Sequence, residues 1–110
     1  MLDKQLLKGT IPLLALSLLA KRDHYGYDLI KAMDAGSHGA FRFSEGTLYP
    51  VLHGLERDGR LTSVWEKAGG RKRKYYRITD KGRAELAERG EQWALFTASV
   101  AAILKGDDHD

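Results

Sequence analysis

Two short stretches hold most of the side chains that could do chemistry. Arg71, Lys72, Arg73 and Lys74 follow directly on Gly69-Gly70, and Ser44, Thr47 and Tyr49 crowd the front of SEGTLYPVLHGLERDGRL. Cationic groups carried on a glycine turn have no core to bury, so they reach outward for anions, phosphates above all. Hydroxyls at the start of a helix cap it, meet a polar partner, or do both. The charge distribution points the same way. Residues 57–77 carry eight basic side chains (Arg57, Arg60, Lys67, Arg71, Lys72, Arg73, Lys74, Arg77) against Asp58 and Glu66, a net +6 in a chain whose total is +3, so the remainder is −3. A positive block on a weakly acidic body implies a polyanionic partner. Other chemistry is poorly served. His24, His38, His53 and His109 show no metal-ligand spacing. No serine or threonine comes with a base and an orienting acid, and the glycines form no phosphate loop. The chain therefore reads as a non-enzyme with no catalytic residue, metal or cofactor.

Five elements must position these groups. The chain has 110 residues, enough for one domain with a modest core. A first helix is predicted from about Leu6 to Ala20, with Pro12 marking its start. Its IPLLALSLLA is ten residues long, short of the roughly 20 that span a bilayer. Asp3 before it and KRD after it argue against a secretion signal, which leaves a helix buried on most sides. The absence of cysteine excludes disulfides and suits a reducing compartment, so the expected location is the cytoplasm. A second helix runs from about Tyr25 to Ala35, with Leu29, Ile30 and Met33 inward, and Tyr27 and Tyr76 read as core residues.

The third helix carries Leu48, Val51, Leu52 and Leu55 on one side and Gly46, Pro50, His53 and Arg57 on the other, with Thr47 and Tyr49 on the flanks. Pro50 fits in two ways. A start at Thr47 makes it the third residue, where its missing N–H has no intrahelical partner. A start at Ser44 costs one bond to Gly46. Next, LTSVWEKAGGRKRKYYRI folds at Gly69-Gly70 into a hairpin. Its register sets Leu61 against Ile78, Ser63 against Tyr76, Val64 against Tyr75, Trp65 against Lys74 and Glu66 against Arg73. Last comes a helix from Thr79, its N-cap, to about Leu104, with Leu86, Trp93 and Val100 seven apart and Arg89, Phe96 and Ile103 interleaved, close to a coiled-coil stripe.

Three short helices followed by a basic hairpin describe a winged helix-turn-helix. The fold class is mainly α with a small β-hairpin (α+β), extended by a long C-terminal dimerisation helix. The third helix would be the recognition helix, its leading end at DNA base edges in the major groove, and the hairpin the wing. At this point KGTIPLLALSLL, HYGYDLI, SEGTLYPVLHGLERDG and GGRKRKYYRITDKG together resemble the PadR-like transcriptional regulators, in particular the compact subgroup with a single C-terminal helix. The resemblance covers about Leu6 to Leu104. It implies a sequence-specific DNA-binding regulator: a homodimeric repressor on a palindromic operator, released in some members by a small molecule near the dimer interface. Carried over, the DNA-binding set is Tyr25, Ser44, Gly46, Thr47, Tyr49, Arg71, Lys72, Arg73 and Lys74. Gly26 would permit close packing. The dimer interface falls on Leu14, Leu18, Leu86, Trp93, Phe96, Val100 and Ile103, and Trp93 would also line a slot for a flat aromatic effector. Residues 1–78 form the winged helix-turn-helix, 79–105 the dimerisation helix and 106–110 a polar tail, with no membrane partner. The alternative is a winged-helix module whose basic wing meets an acidic protein.

Overall fold

A computed structural model of the chain describes Asp3, Leu7 and residues 9–106, apart from the Ala68 side chain. The predicted first turn at Leu6 and most of the polar tail lie outside the described residues. The elements are α1 (Ile11–Leu19), β1 (His24–Tyr25), α2 (Gly26–Gly36), α3 (Glu45–Arg57), β2 (Leu61–Ala68), β3 (Arg71–Ile78) and α4 (Asp80–Lys105). No helix among the described residues is long and apolar enough to cross a membrane.

Pro12 lies in the first turn of α1, where the lost N–H costs nothing. Ile11, Ala15, Leu16 and Leu19 recur at helical spacing and are buried against α2 and α3. From α2 come Leu29 and Met33; from α3, Leu48, Leu52 and Leu55; from the sheet, Leu61, Tyr76 and Ile78. Burial of each large aliphatic side chain contributes about 1.5–3 kcal/mol before conformational entropy is counted. Leu14, Leu18 and Leu86 are half-buried and pack on the rim of this core.

The sheet differs from expectation in having three strands, ordered β1-β3-β2. The hairpin register is the predicted one throughout, from Leu61 opposite Ile78 to Glu66 opposite Arg73. The added strand pairs His24 with Tyr76 and Tyr25 with Tyr75, on the edge of β3 that the hairpin leaves open. Tyr25 therefore belongs to the sheet and caps α2 from outside it. Tyr27, read as core, is instead exposed, with the Lys31 ammonium 5.5 Å from its ring centroid. Four residues separate the two, so they share the outward face of α2 while Leu29 and Met33 take the inward one.

Two glycines permit close approaches. A methyl at Gly26 would overlap the Tyr49 phenol, and one at Gly82 would overlap the Arg60 carbonyl and the Ile78 side chain. Gly26→Ala is expected to lower stability by about 1–3 kcal/mol. A thermal melt should show less than additive loss when it is combined with Tyr49→Ala, because the second change removes the overlap. Gly82→Ala should cost more than Gly26→Ala, since a backbone carbonyl cannot swing aside.

Helix α4 starts on Thr79, whose hydroxyl accepts the Gly82 N–H at 3.0 Å, and ends at Gly106 in the left-handed region, φ 69°. Glu85 anchors it, held by Arg60 and by Arg89. Burial alone would raise the Glu85 pKa; the two guanidiniums outweigh it and hold the carboxyl below its ordinary 4.5. A depressed folded pKa adds stability that is complete above about pH 4.5 and is lost as pH falls through the lower folded value. Urea unfolding should therefore show a smaller gap between the parent and Glu85→Gln at pH 3 than at pH 6.

Candidate nucleic-acid interface

The leading end of α3 is built by Ser44. Its backbone is extended (φ −84°, ψ 163°) and its hydroxyl accepts the Thr47 N–H at 3.2 Å, so the helix begins at Glu45. That selects the second of the two placements for Pro50. The proline is the sixth helical residue and deprives the Gly46 carbonyl of its helical partner. Ser44, Glu45, Gly46 and Thr47 are all exposed, and farther along so are Pro50, His53 and Arg57. The opposite side is sealed into the core by Leu48, Leu52 and Leu55. The Ser44 and Thr47 hydroxyls stand 3.1 Å apart on this exposed end.

Tyr49 is half-buried, packed on Gly26 and tilted against His53 at 6.1 Å between ring centroids. Burial and the Glu45 carboxylate both raise its phenol pKa. Its ring is committed to the join between α2 and α3, with one edge on the outer surface. Tyr25 is likewise half-buried. Its ring meets Tyr75 edge-on at 5.5 Å, and the Arg73 guanidinium lies 4.4 Å from its centroid.

The wing cations divide into two kinds. Lys74 is tethered: its ammonium stands 3.3 Å from the Glu56 carboxylate, which also accepts the Ser63 hydroxyl. The Ser63 bond, offset in part by burial, and Lys74 together lower the Glu56 pKa; burial opposes the Lys74 charge, but Glu56 outweighs it and the Lys74 pKa rises. This clasp fixes the wing to α3. Arg77 is spent on Asp23, with both nitrogens at 2.8 and 3.0 Å, and Arg60 on Glu85. Arg57, Lys67, Arg71, Lys72 and Arg73 have no ion pair among the described residues.

Helix face and wing meet in one cleft of about 440 Å³, lined by Tyr25, Gly26, Tyr49, His53, Trp65, Lys72, Arg73, Lys74 and Tyr76. The sequence pattern alone assigned no role to His53, Trp65 or Tyr76 here. Trp65 carried a signal, being a large aromatic placed opposite Lys74 on the wing. Glu45, the first residue of α3 and an exposed acceptor at its leading end, was assigned no role either.

The residues expected at a dimer interface fall into two groups. Leu14, Leu18 and Leu86 pack on the chain's own core. Trp93, Phe96, Val100 and Ile103 are exposed on α4, along with Leu95 and Leu104.

The chain matches the transcriptional regulator PadR-like family over residues 15–88. It is 55% identical over 51 residues to transcriptional regulator Rv3488 of Mycobacterium tuberculosis, a match covering 46% of this chain and 47% of that one. Among solved structures it resembles a PadR family transcriptional regulator from Eggerthella lenta, with TM-score 0.81 and 38% identity over 94% of this chain and 88% of that one. A PadR-like transcriptional regulator from Bacillus cereus superposes with TM-score 0.83 and 32% identity, covering 94% of this chain and all of the other. The family match spans both the third helix and the wing, and the chain belongs to the PadR-like transcriptional regulators, which are not enzymes.

Proposed function

We propose that the protein is a homodimeric, sequence-specific DNA-binding repressor that acts in the cytoplasm on a palindromic operator. The observation that carries this reading is the shared cleft: Tyr49 and His53 of α3 and the wing cations Lys72 and Arg73, which have no ion pair among the described residues, line the same concavity. In that reading Ser44, Glu45, Gly46 and Thr47 reach base edges in the major groove while Arg71, Lys72 and Arg73 hold phosphates. Tyr25 and Tyr49 serve at the edge of the contact, and Lys74 orients the wing through Glu56. The exposed apolar half of α4, with Trp93, Phe96, Val100 and Ile103, is the surface on which two copies join, assisted by Leu14, Leu18 and Leu86 at its root. Trp93 and its symmetry copy form walls for a flat aromatic effector whose binding releases DNA.

The test is a titration of duplexes drawn from the protein's own genome, repeated over a salt series. Specific binding should fall steeply with salt and prefer two half-sites about 34–36 Å apart. Weak, equal binding to every duplex would refute the repressor reading and favour an acidic protein as the partner. A narrower expectation concerns the helix tip: Thr47→Ala should change which sequence is preferred and leave the salt slope as it was, measured by selection from a randomised duplex pool.

A further inference from the structure

We infer that Glu45 is a specificity-determining residue of the proposed DNA contact, and that it selects a cytosine in each half-site through the amino group which that base turns into the major groove. The inference rests on α3 being the recognition helix, as proposed above. Glu45 is the first residue of α3, is exposed, and is the one acid between Ser44 and His53. It has no ion pair among the described residues. Spacing decides which way it faces. Glu45, Tyr49 and His53 follow one another at four-residue intervals and so form one row along α3. The Tyr49 and His53 rings lie 6.1 Å apart on that row. Burial first, and then the nearby Glu45 carboxylate, raise the Tyr49 phenol pKa. Tyr49 and His53 line the cleft together with Lys72 and Arg73. Glu45 therefore extends the wall of that cleft by one turn, to the leading end of the helix.

A carboxylate only accepts hydrogen bonds, and phosphates repel it. The donors that a duplex offers it in the major groove are the amino groups of cytosine and adenine. Adenine carries the N7 acceptor on the same edge, which a carboxylate meets unfavourably, whereas cytosine presents its amino group alone. Guanine and thymine turn carbonyl oxygens outward and are rejected. The other groups at the tip leave this part to Glu45. The Ser44 hydroxyl accepts the Thr47 N–H at 3.2 Å and lies 3.1 Å from the Thr47 hydroxyl, so both hydroxyls are engaged in the cap. Gly46 brings no side chain although the fold has room for one: an added methyl would meet only the Ser44 hydroxyl, at 3.9 Å. Glycine in a helix costs stability relative to alanine. Here it lets the backbone come close to a base edge, which lowers the adjacent carboxylate into the groove. An acid in the first turn also complements the helix macrodipole. The two roles differ in what they control: the dipole contact sets stability, and base contact sets sequence preference.

The experiment uses the full chain as parent, Glu45→Ala and Glu45→Gln, each selecting from a randomised duplex pool, with a thermal melt of each. The parent should enrich a C·G pair at one position in each half-site. Glu45→Gln should move that position to adenine, because an amide pairs with both N6 and N7. Glu45→Ala should leave it without preference, and the other selected positions should stay as they were in both variants. Anisotropy on the enriched duplex then gives the size of the effect. Changing that cytosine to thymine should weaken the parent by about tenfold per half-site and Glu45→Ala by no measurable amount. Variants that melt lower yet select the parental sequence would overturn the inference and leave Glu45 as a helix-stabilising acid. So would a cytosine-to-thymine penalty of the same size in the parent and in Glu45→Ala. A parent that enriches no sequence at all is a different result: it refutes sequence-specific binding itself, and this inference with it.

Discussion

Replacing Arg71, Lys72 and Arg73 together by alanine is expected to weaken binding to every duplex, cognate or not, by about a hundredfold per half-site at 0.15 M salt. The magnitude follows from counterion release. Each cation that neutralises a phosphate adds about 0.9 to the slope of log affinity against log salt, so three of them account for a slope change of about 2.7 per half-site. These three are chosen because none is committed to a carboxylate among the described residues, whereas Lys74, Arg77 and Arg60 are. Fluorescence anisotropy on one specific and one scrambled duplex, from 0.05 to 0.3 M potassium chloride, reads both affinity and slope. Retention of the parental slope would remove the wing from the DNA contact. Lys74→Ala should behave differently. It frees Glu56 and unclasps the wing, so the loss should be accompanied by a lower melting temperature, which the triple variant should not show.

That division among the cations could not be read from composition. The pairs that neutralise Lys74 and Arg77 lie 18 and 54 positions apart in the chain, so they exist only once the sheet has brought β3 beside α3 and the α1–β1 connection. The hairpin register, by contrast, was legible in full. Strand alternation on both sides of Gly69-Gly70 admits one pairing that puts Leu61 and Ile78 together in the core, and a slip by one residue would expose both. Strand β1 was not legible, since two residues have no period to detect; it forms because the edge of β3 offers unpaired backbone groups beside His24 and Tyr25. Pro50 was ambiguous for a similar reason. Ser44 and Thr47 are equally good caps on paper, and the choice falls to Ser44 because its extended backbone leads Leu48 into the core. Tyr27 was misread although the signal was present: its spacing to Lys31 marks an outward face. The cleft depends on how closely the wing lies against α3, which is set by the Glu56 clasp and by Gly26 admitting Tyr49. Neither is visible before the chain is folded.

Truncating Trp93 to alanine is expected to weaken self-association by about a thousandfold. From Glu91 to Lys105 every residue of α4 is exposed in the single chain, including Trp93, Leu95, Phe96, Val100, Ile103 and Leu104. Those positions span about 22 Å of helix. An isolated stretch of this length is marginal in water, and an apolar patch of that extent on a small protein marks a binding surface. Trp93 and Phe96 already touch, with ring centroids 5.9 Å apart, so they present one broad aromatic face to a second copy. Loss of such an anchor costs about 2 kcal/mol. Two-fold symmetry applies the loss twice, giving about 4 kcal/mol, or roughly a thousandfold in the dimer dissociation constant. Sedimentation over a concentration series measures it directly. Thr47→Ala, on α3 and not on α4, should leave the dimer as it was. The same variant tests the link between assembly and recognition. A monomer gains nothing from a second half-site, so Trp93→Ala should bind a full palindrome and a lone half-site with nearly equal affinity, while the parent distinguishes them strongly. An unchanged dissociation constant would move the interface off this face of α4, and the aromatic slot between two Trp93 side chains would go with it.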